Sequence, residues 1–173
     1  RLGSLERPDI AVFDLDPVQP AGFADCRPVA RLLRQVLAHF GLAAWLKTSG
    51  ATGLHLYVPI EPRFTYREVA HGVGRICDAV HELGAAPTTR ARAVARRPPG
   101  TVYLDHLQNV MGKTLVMAYG PRPRAGAPVS APISWEELEA IVPEQFTLRT
   151  MPARVALVGD VFAPVEQVRQ DWT

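Results

Sequence analysis

The chain has 173 residues, of which 47% are hydrophobic and 21% are charged. This composition supports one buried core in a single domain over residues 1–173 and excludes a mainly disordered chain. The formal net charge of +2 is too small to indicate nucleic-acid binding by itself.

Cysteine use and hydrophobicity indicate a cytoplasmic protein. Cys26 and Cys77 have no C-x-x-C partner, which predicts reduced thiols that fill the core. No apolar run is long enough to span a bilayer, and residues 1–7 lack the hydrophobic region of a signal peptide. We therefore expect no membrane contact.

The first predicted element is a buried strand over residues 10–14 that leads into Asp14, Asp16 and Pro17. Residues two apart in a strand point to the same face of the sheet. Two carboxylates on one face repel each other, and a divalent cation between them relieves the repulsion. Oxygen ligands favour Mg²⁺ or Mn²⁺ over zinc. Asp-x-Asp-Pro is also good turn chemistry, so a simple turn or helix cap stays open as the alternative.

The other predicted elements alternate between helices and strands and show no internal repeat, which favours one α+β or α/β unit. Residues 88–97 are ambiguous between a short helix and a loop. The clear elements, in chain order, are a helix from Asp25 or Cys26 to Phe40, strands over 43–49 and 53–59, a helix from a Thr65 cap to about Leu83, strands over 101–104 and 114–118, a helix over 135–141 capped by Ser134, and a helix over 151–157.

The turn between the second and third predicted strands combines several groups that bind phosphate. Lys47 supplies a cation, Ser49 a hydroxyl and His55 an imidazole around exposed amides and glycines. A plain β-hairpin with an inward histidine is the alternative for this segment alone.

Arginines cluster in two places. Such a cluster is consistent with phosphate binding and equally with a solvated surface. The members are Arg90, Arg92, Arg96 and Arg97 within eight residues, and Arg122 and Arg124 in a later loop rich in proline and glycine.

Together, carboxylates at strand ends, a glycine-hydroxyl turn with histidine, and a set of cations indicate metal-assisted phosphoryl or nucleotidyl transfer. The third carboxylate is Asp105, at the end of the strand predicted over 101–104. Because Asp14, Asp16 and Asp105 must meet, we expect strands 10–14, 101–105 and 114–118 to be neighbours, with the helices on the opposite face.

The sequence resembles the polymerase domain of bacterial ATP-dependent DNA ligase D, which belongs to the archaeo-eukaryotic primase superfamily. The resemblance follows chain order over almost the whole sequence. The motifs that carry it are Phe13-Asp14-Leu15-Asp16-Pro17, Thr48-Ser49-Gly50 with Gly53-Leu54-His55, Val102-Tyr103-Leu104-Asp105 with Gln108-Asn109, Gly112-Lys113-Thr114, Ala118-Tyr119 with Arg122 and Arg124, Val129-Ser130-Ala131-Pro132, Trp135-Glu136-Glu137-Leu138 and Gly159-Asp160.

The resemblance implies an RRM-like α+β fold, with an antiparallel or mixed central sheet and helices packed on one face. It implies template-directed addition of rNTPs or dNTPs to a 3′ hydroxyl during DNA end joining, in the nucleoid of the cytoplasm. The implied partners are a DNA primer-template or gapped ends, and ligase, nuclease and Ku-type end-joining proteins.

The resemblance also implies roles for individual residues. Asp14, Asp16 and Asp105 would bind two Mn²⁺ or Mg²⁺ ions and carry the catalysis. The predicted nucleotide-binding residues are Ser49, Gly50, Thr52, Gly53, His55, Gln108, Lys113 and Arg122. The predicted nucleic-acid-binding residues are Arg90, Arg92, Arg96, Arg97 and Arg124.

Two departures from the family pattern affect these expectations. Thr52 stands where many relatives have a lysine, so one triphosphate contact is weaker or comes from elsewhere. Family members usually begin well upstream, whereas this chain starts nine residues before the Asp14 strand. A natural minimal form, a fragment and an excised core are all consistent with this start.

Two other functions stay open at this stage. A haloacid-dehalogenase-type phosphatase would use Asp14 as nucleophile and Asp16 as general acid, but Pro17 and the single carboxylate of Gly159-Asp160 disfavour it. A nucleic-acid-binding module with a structural or vestigial metal site is the alternative that is not an enzyme.

Overall fold

The computed structural model describes residues 5–172, so residues 1–4 and 173 of the predicted domain lie outside it. Its main elements are β1 (Ile10–Pro17), α1 (Phe23–His39), β2 (Trp45–Thr48), β3 (Leu54–Pro59), α2 (Tyr66–Glu82), β4 (Thr88–Thr89), β5 (Val102–Asp105), β6 (Pro132–Ile133), α3 (Met151–Val158) and α4 (Ala163–Gln167). No helix among the described residues is long and apolar enough to cross a membrane.

The sheet has the order β4-β5-β1-β3-β2-β6 and is antiparallel except for the parallel pair β4 and β5. Its central strands β5-β1-β3-β2 are connected through α1 and α2 as a β-α-β-β-α-β unit. This confirms the predicted α+β class and the mixed central sheet.

Both long helices pack on one face of the sheet. In β1, Ala11, Phe13 and Leu15 point into this core, so Asp14 and Asp16 point to the other face. Cys26 and Cys77 are buried and unbridged in the same core. The alternation in β1 therefore places the carboxylates opposite the helices, as predicted.

The strand predicted over 114–118 does not form. Both edges of β1 are already paired, with β3 and β5, and the outer edge of β5 pairs with β4. No free edge is left beside β1 for another strand. Residues 113–117 instead form irregular backbone, and the carbonyl of Val116 accepts a hydrogen bond from Lys47.

The helix predicted over 135–141 is a series of turns. Its start signal is present, because the Glu137 amide donates to Ser134 Oγ at 3.3 Å and the Ser134 amide to Glu137 Oε2 at 2.8 Å. Pro143 follows so soon that too few helical hydrogen bonds can form to offset the free-energy cost of the first helical turn. The ambiguous segment 88–97 consists of β4 and a 3₁₀ turn at Val94–Arg96.

Asn109 completes the hydrogen bonding of β1 where β5 has ended. Its Oδ1 accepts from the Val12 amide and its Nδ2 donates to the Val12 carbonyl, both at 2.7 Å. The same amide donates to the His106 carbonyl at 3.0 Å. This buried side chain thereby holds the 3₁₀ turn at Leu107–Asn109 against the strand that carries Asp14.

We expect Asn109→Ala to lower the free energy of unfolding by about 1–3 kcal/mol, because two buried backbone groups of Val12 lose their partner. Urea unfolding of the purified variant measures this loss. Gln35→Ala, at an exposed position of α1, is the control and should change stability by less than about 0.5 kcal/mol. An equal effect of both substitutions would contradict this role of Asn109.

Candidate active site

Four polar residues form one row across the face of the sheet that the helices leave uncovered. In the strand register, Asp105 of β5 pairs with Asp14 of β1, Asp14 with His55 of β3, and His55 with Lys47 of β2. Residues in register on neighbouring strands point to the same face. The fold therefore places two acids, an imidazole and an amine side by side, and of these only His55 and Lys47, on one hairpin, are close in sequence.

Asp14 is the most enclosed carboxylate of the row, with 5% of its surface exposed. Its Oδ2 accepts a hydrogen bond from Gln108 Nε2 at 3.3 Å. His55 Nε2 lies 3.2 Å from Oδ1 as an ion-pair contact, and among the described residues Oδ1 has no hydrogen-bond donor in good geometry. A buried carboxylate oxygen in this state favours a cation beside it.

Asp16 lies one pleat further along the same face. Burial, followed by the nearby charge of Asp14, raises the pKa of Asp16 to about 6, and Asp105 adds to the effect. Arg97 and Arg122 act in the opposite direction and do not cancel it. The folded chain thus concentrates negative charge at this end of β1.

Gln108 lies between the carboxylates of Asp14 and Asp105. Its Nε2 lies 3.3 Å from Asp14 Oδ2 and 3.4 Å from Asp105 Oδ2. Asp105 Oδ1 also accepts from the Leu107 amide at 2.8 Å, which orients this carboxylate. Among residues 5–172, no three His, Cys, Asp or Glu side chains already stand in the geometry of a metal site. The donor chemistry nevertheless suits a hard divalent cation, because the oxygens are carboxylates and Asp14 Oδ1 lacks a partner.

The turn between β2 and β3 is built around Ser49. Its Oγ accepts hydrogen bonds from the amides of Ala51 at 3.1 Å and Gly53 at 3.0 Å. A side chain at Gly53 would place its Cβ 2.4 Å from the Leu15 carbonyl oxygen, so only glycine lets the turn approach β1 this closely. Gly50 takes the positive φ of 70°.

Lys47 lies at the end of the row; the sequence indicated it as the cation of the polar turn, but it was not among the predicted nucleotide-binding residues. It is fully buried, and its Nζ contacts His55 Nδ1, Ser130 Oγ and the Val116 carbonyl. Burial, and then the charge of Arg122, lower the pKa of Lys47 to about 7, and Asp14 acts in the opposite direction. A lysine two residues before the serine of a polar turn was the sequence signal, but two of its three partners, Val116 and Ser130, are distant in the chain.

A cleft of about 360 Å³ opens beside Asp14, Asp16 and His55, and Asp105 does not line it. Arg122 lies on its wall and donates from Nε to the Ser49 carbonyl at 3.0 Å. The predicted site residues that line the cleft are Asp14, Asp16, Ser49, Thr52, His55, Gln108, Arg122 and Arg124.

The other predicted nucleotide-binding residues have different surroundings. Gly53 is buried beneath the turn, and Gly50 lines a neighbouring cavity together with Thr52 and Arg124. Lys113 is exposed and does not line the cleft.

The arginines near residue 90 differ from one another. Arg90 is half-buried, donates to Asp78 Oδ1 at 2.7 Å and also contacts the Leu104 carbonyl and His106. Arg97 stacks 3.6 Å from the Tyr103 ring centroid. Arg92 and Arg96 are exposed. The structure therefore separates two packed arginines from two that face solvent.

Comparison with known proteins decides the family. Residues 1–162 match the model of the LigD primase-polymerase domain. This chain belongs to that family. The LigD primase-polymerase assignment agrees with the resemblance found in the sequence motifs, and the phosphatase alternative is not retained.

The chain is 38% identical over 163 residues to the multifunctional non-homologous end joining protein LigD of Pseudomonas aeruginosa, covering 92% of this chain and 19% of that protein. It is 32% identical over 167 residues to the bifunctional LigD of Bacillus subtilis, covering 95% of this chain and 27% of that protein. The chain therefore spans about a fifth to a quarter of these relatives.

A solved structure shares the fold of this LigD-family domain. It is the polymerase domain from Mycobacterium tuberculosis ligase D in complex with DNA, with a TM-score of 0.86 and 31% sequence identity. The similarity covers 95% of this chain and 57% of the solved chain.

The raised pKa of Asp16 predicts how stability depends on pH. Because its pKa is 3.8 ordinarily and about 6 when folded, the folded protein binds this proton more tightly than the unfolded chain. The contribution of Asp16 to stability therefore falls as pH rises through about 4 to 6. With a chelator present, Asp16→Asn should raise the free energy of unfolding by about 1–2 kcal/mol at about pH 7 and by much less at about pH 4.

Urea unfolding at the two pH values tests this expectation. Glu139→Gln, which neutralises an exposed carboxylate of the 135–140 turns, is the control. Equal gains for Asp16→Asn at both pH values would show that repulsion and desolvation of its charge are not the cause.

Proposed function

We propose that this domain is a metal-dependent nucleotidyltransferase that adds nucleotides to a 3′ hydroxyl during DNA end joining. The observation that carries the proposal is the buried, partly unpartnered Asp14 in one row with Asp105 and His55, beside a cleft lined by Asp16 and Arg122. Membership of the LigD primase-polymerase family supports this reaction class.

Asp14, Asp16 and Asp105 would hold divalent cations, Mn²⁺ or Mg²⁺. When bound, such ions supply activation of the hydroxyl nucleophile and neutralisation of charge on the leaving pyrophosphate. Gln108 orients Asp14 and Asp105 by bonding to both carboxylates. Without a cation these carboxylates repel one another, and at Asp16 the charges of Arg97 and Arg122 offset the repulsion only in part.

The incoming rNTP or dNTP would place its triphosphate between the carboxylates and the basic wall of the cleft. Arg122 and Arg124 line that wall, and the turn around Ser49 forms its floor. His55 points Nε2 toward Asp14 Oδ1 and the cleft, where it can donate to a phosphate oxygen. These groups would bind the phosphates and orient them so that the 3′ hydroxyl attacks in line with the leaving pyrophosphate.

DNA would be the second substrate, as a primer-template or gapped ends. The solved ligase D domain that resembles this chain is in complex with DNA. The LigD of Pseudomonas aeruginosa, a relative of this chain, is a non-homologous end joining protein. The exposed Arg92 and Arg96 suit contacts to phosphates that carry no sequence information. Ligase, nuclease and Ku-type proteins are the proposed partners in the cytoplasm.

Primer extension on a gapped, 5′-phosphorylated duplex with Mn²⁺ tests the proposed activity, with rNTPs and dNTPs offered separately. Asp14→Ala should lower extension by about a hundredfold or more, because the site loses its most buried ligand. Glu139→Gln is the control and should extend like the wild type, since this exposed residue lies outside the cleft.

Triphosphate and DNA binding, measured with and without chelator, complete this experiment. Metal-dependent triphosphate binding without extension would mean a catalytic core that requires further protein. The enzyme assignment would be contradicted if chelator left DNA binding unchanged and Asp14→Ala left triphosphate affinity unchanged. That result would favour a binding module.

The two kinds of arginine should behave differently. Replacing both Arg92 and Arg96 by alanine should weaken DNA binding and reduce the slope of log K against log salt by about 1–2. Arg90→Ala should instead lower thermal stability, because Arg90 ties α2 to β5 through Asp78 and the Leu104 carbonyl. Fluorescence anisotropy over a salt series and thermal unfolding measure these effects.

Arg31→Ala on α1 is the control for DNA binding, since α1 packs on the face of the sheet opposite the polar row and the cleft. A loss of affinity as large as that of the Arg92 and Arg96 variant would contradict the assigned DNA surface.

A further inference from the structure

The buried amine of Lys47 contacts three hydrogen-bonding groups. The distances from Nζ are 2.6 Å to Ser130 Oγ, 2.9 Å to His55 Nδ1 and 3.0 Å to the Val116 carbonyl oxygen. The contacts with Val116 and Ser130 join segments that are far apart in the sequence, whereas His55 lies on the neighbouring strand of the same hairpin. The three contacts fix the position of a side chain that has no surface exposed to water.

The protons of this cluster can be assigned by counting donors and acceptors. A carbonyl oxygen only accepts, so Val116 takes one hydrogen from Lys47. Ser130 Oγ donates its single hydrogen to the Thr48 carbonyl at 2.6 Å, so toward Lys47 it also accepts. Below its lowered pKa of about 7, Lys47 is an ammonium with three hydrogens, and the third is directed at His55 Nδ1.

A nitrogen that accepts a hydrogen bond carries no hydrogen of its own. His55 Nδ1 is therefore the bare nitrogen and Nε2 carries the proton. Nε2 is the atom that lies 3.2 Å from Asp14 Oδ1, at the edge of the cleft. Lys47 Nζ also lies 5.3 Å from the Tyr57 ring centroid, which favours a charged amine.

We propose that Lys47 is a positioning residue that fixes the Nε2–H tautomer and the ring orientation of His55, so that this histidine presents a donor to the triphosphate. The part of this proposal that concerns triphosphate binding rests on the proposed function. With the opposite tautomer, a bare Nε2 would face the Asp14 carboxylate and the phosphate oxygens, and both contacts would be repulsive.

Two-bond ¹H–¹⁵N correlation spectra of protein labelled at histidine test the tautomer directly. His55→Gln identifies the His55 signals among those of the five histidines. In the wild type we expect the proton on Nε2 and a bare Nδ1 whose resonance is shifted by a hydrogen bond. A proton on Nδ1 in the wild type would overturn the proposal, whatever the variants do.

Lys47→Met removes the three donors and keeps a long apolar chain. We expect the hydrogen-bond shift at His55 Nδ1 to disappear in this variant and to return in Lys47→Arg, which restores a donor. Lys113→Met is the matched spectroscopic control, because it makes the same substitution at an exposed lysine. A folded Lys47→Met protein with an unchanged His55 spectrum would contradict the pairing.

A double-mutant cycle on triphosphate affinity tests whether Lys47 acts through His55. Lys47→Met and His55→Ala should each weaken binding about tenfold, and the double variant should bind within about twofold of His55→Ala alone. Losses that multiply would show that Lys47 does not act through the histidine. If the wild type binds no triphosphate, the proposed function fails while the spectra still decide the Lys47–His55 pairing.

Discussion

The burial of Asp14 is the constraint around which this domain is organised. A carboxylate with 5% exposure, in the middle of a sheet and with one oxygen lacking a donor, is unfavourable unless its neighbours and a bound cation compensate. Asp16 and Asp105 increase the negative charge, whereas His55 and Lys47 continue the row with donors. The polar face therefore collects negative charge at one end and donors beside it, an arrangement that suits the proposed cation and phosphate.

Short loops hold this row in place because they approach the strands closely. The turn at Leu107–Asn109 is tied to β1 through the Asn109 amide and supplies Gln108 to the two carboxylates. On the other side, the Gly53 backbone packs against the Leu15 carbonyl at a distance that excludes any side chain. The first contact joins a short, buried side chain to the main chain and the second brings two main-chain segments together, so neither depends on a long side chain.

The basic residues have two separate physical functions. Arg90 and Arg97 use their guanidinium groups within the protein, on Asp78 and on the Tyr103 ring. Arg92 and Arg96 remain at the surface, where a charge contributes to long-range attraction of a polyanion. A count of arginines alone would overstate the charge available to DNA.

The sequence by itself determined the features that depend on local spacing. The alternation through Phe13, Asp14 and Leu15 fixed which side chains face the core, and the glycines and hydroxyls of residues 49–53 indicated the turn between β2 and β3. These features need only the two-residue period of a strand and the properties of glycine.

The tertiary structure decided everything that depends on partners distant in the chain. It left no strand edge beside β1 with which residues 114–118 could pair, and it packed Arg90 against α2 and β5. It also enclosed Lys47 among Val116, Ser130 and His55. Sequence spacing does not encode these contacts, because edge pairing and burial depend on which segments the completed sheet brings together.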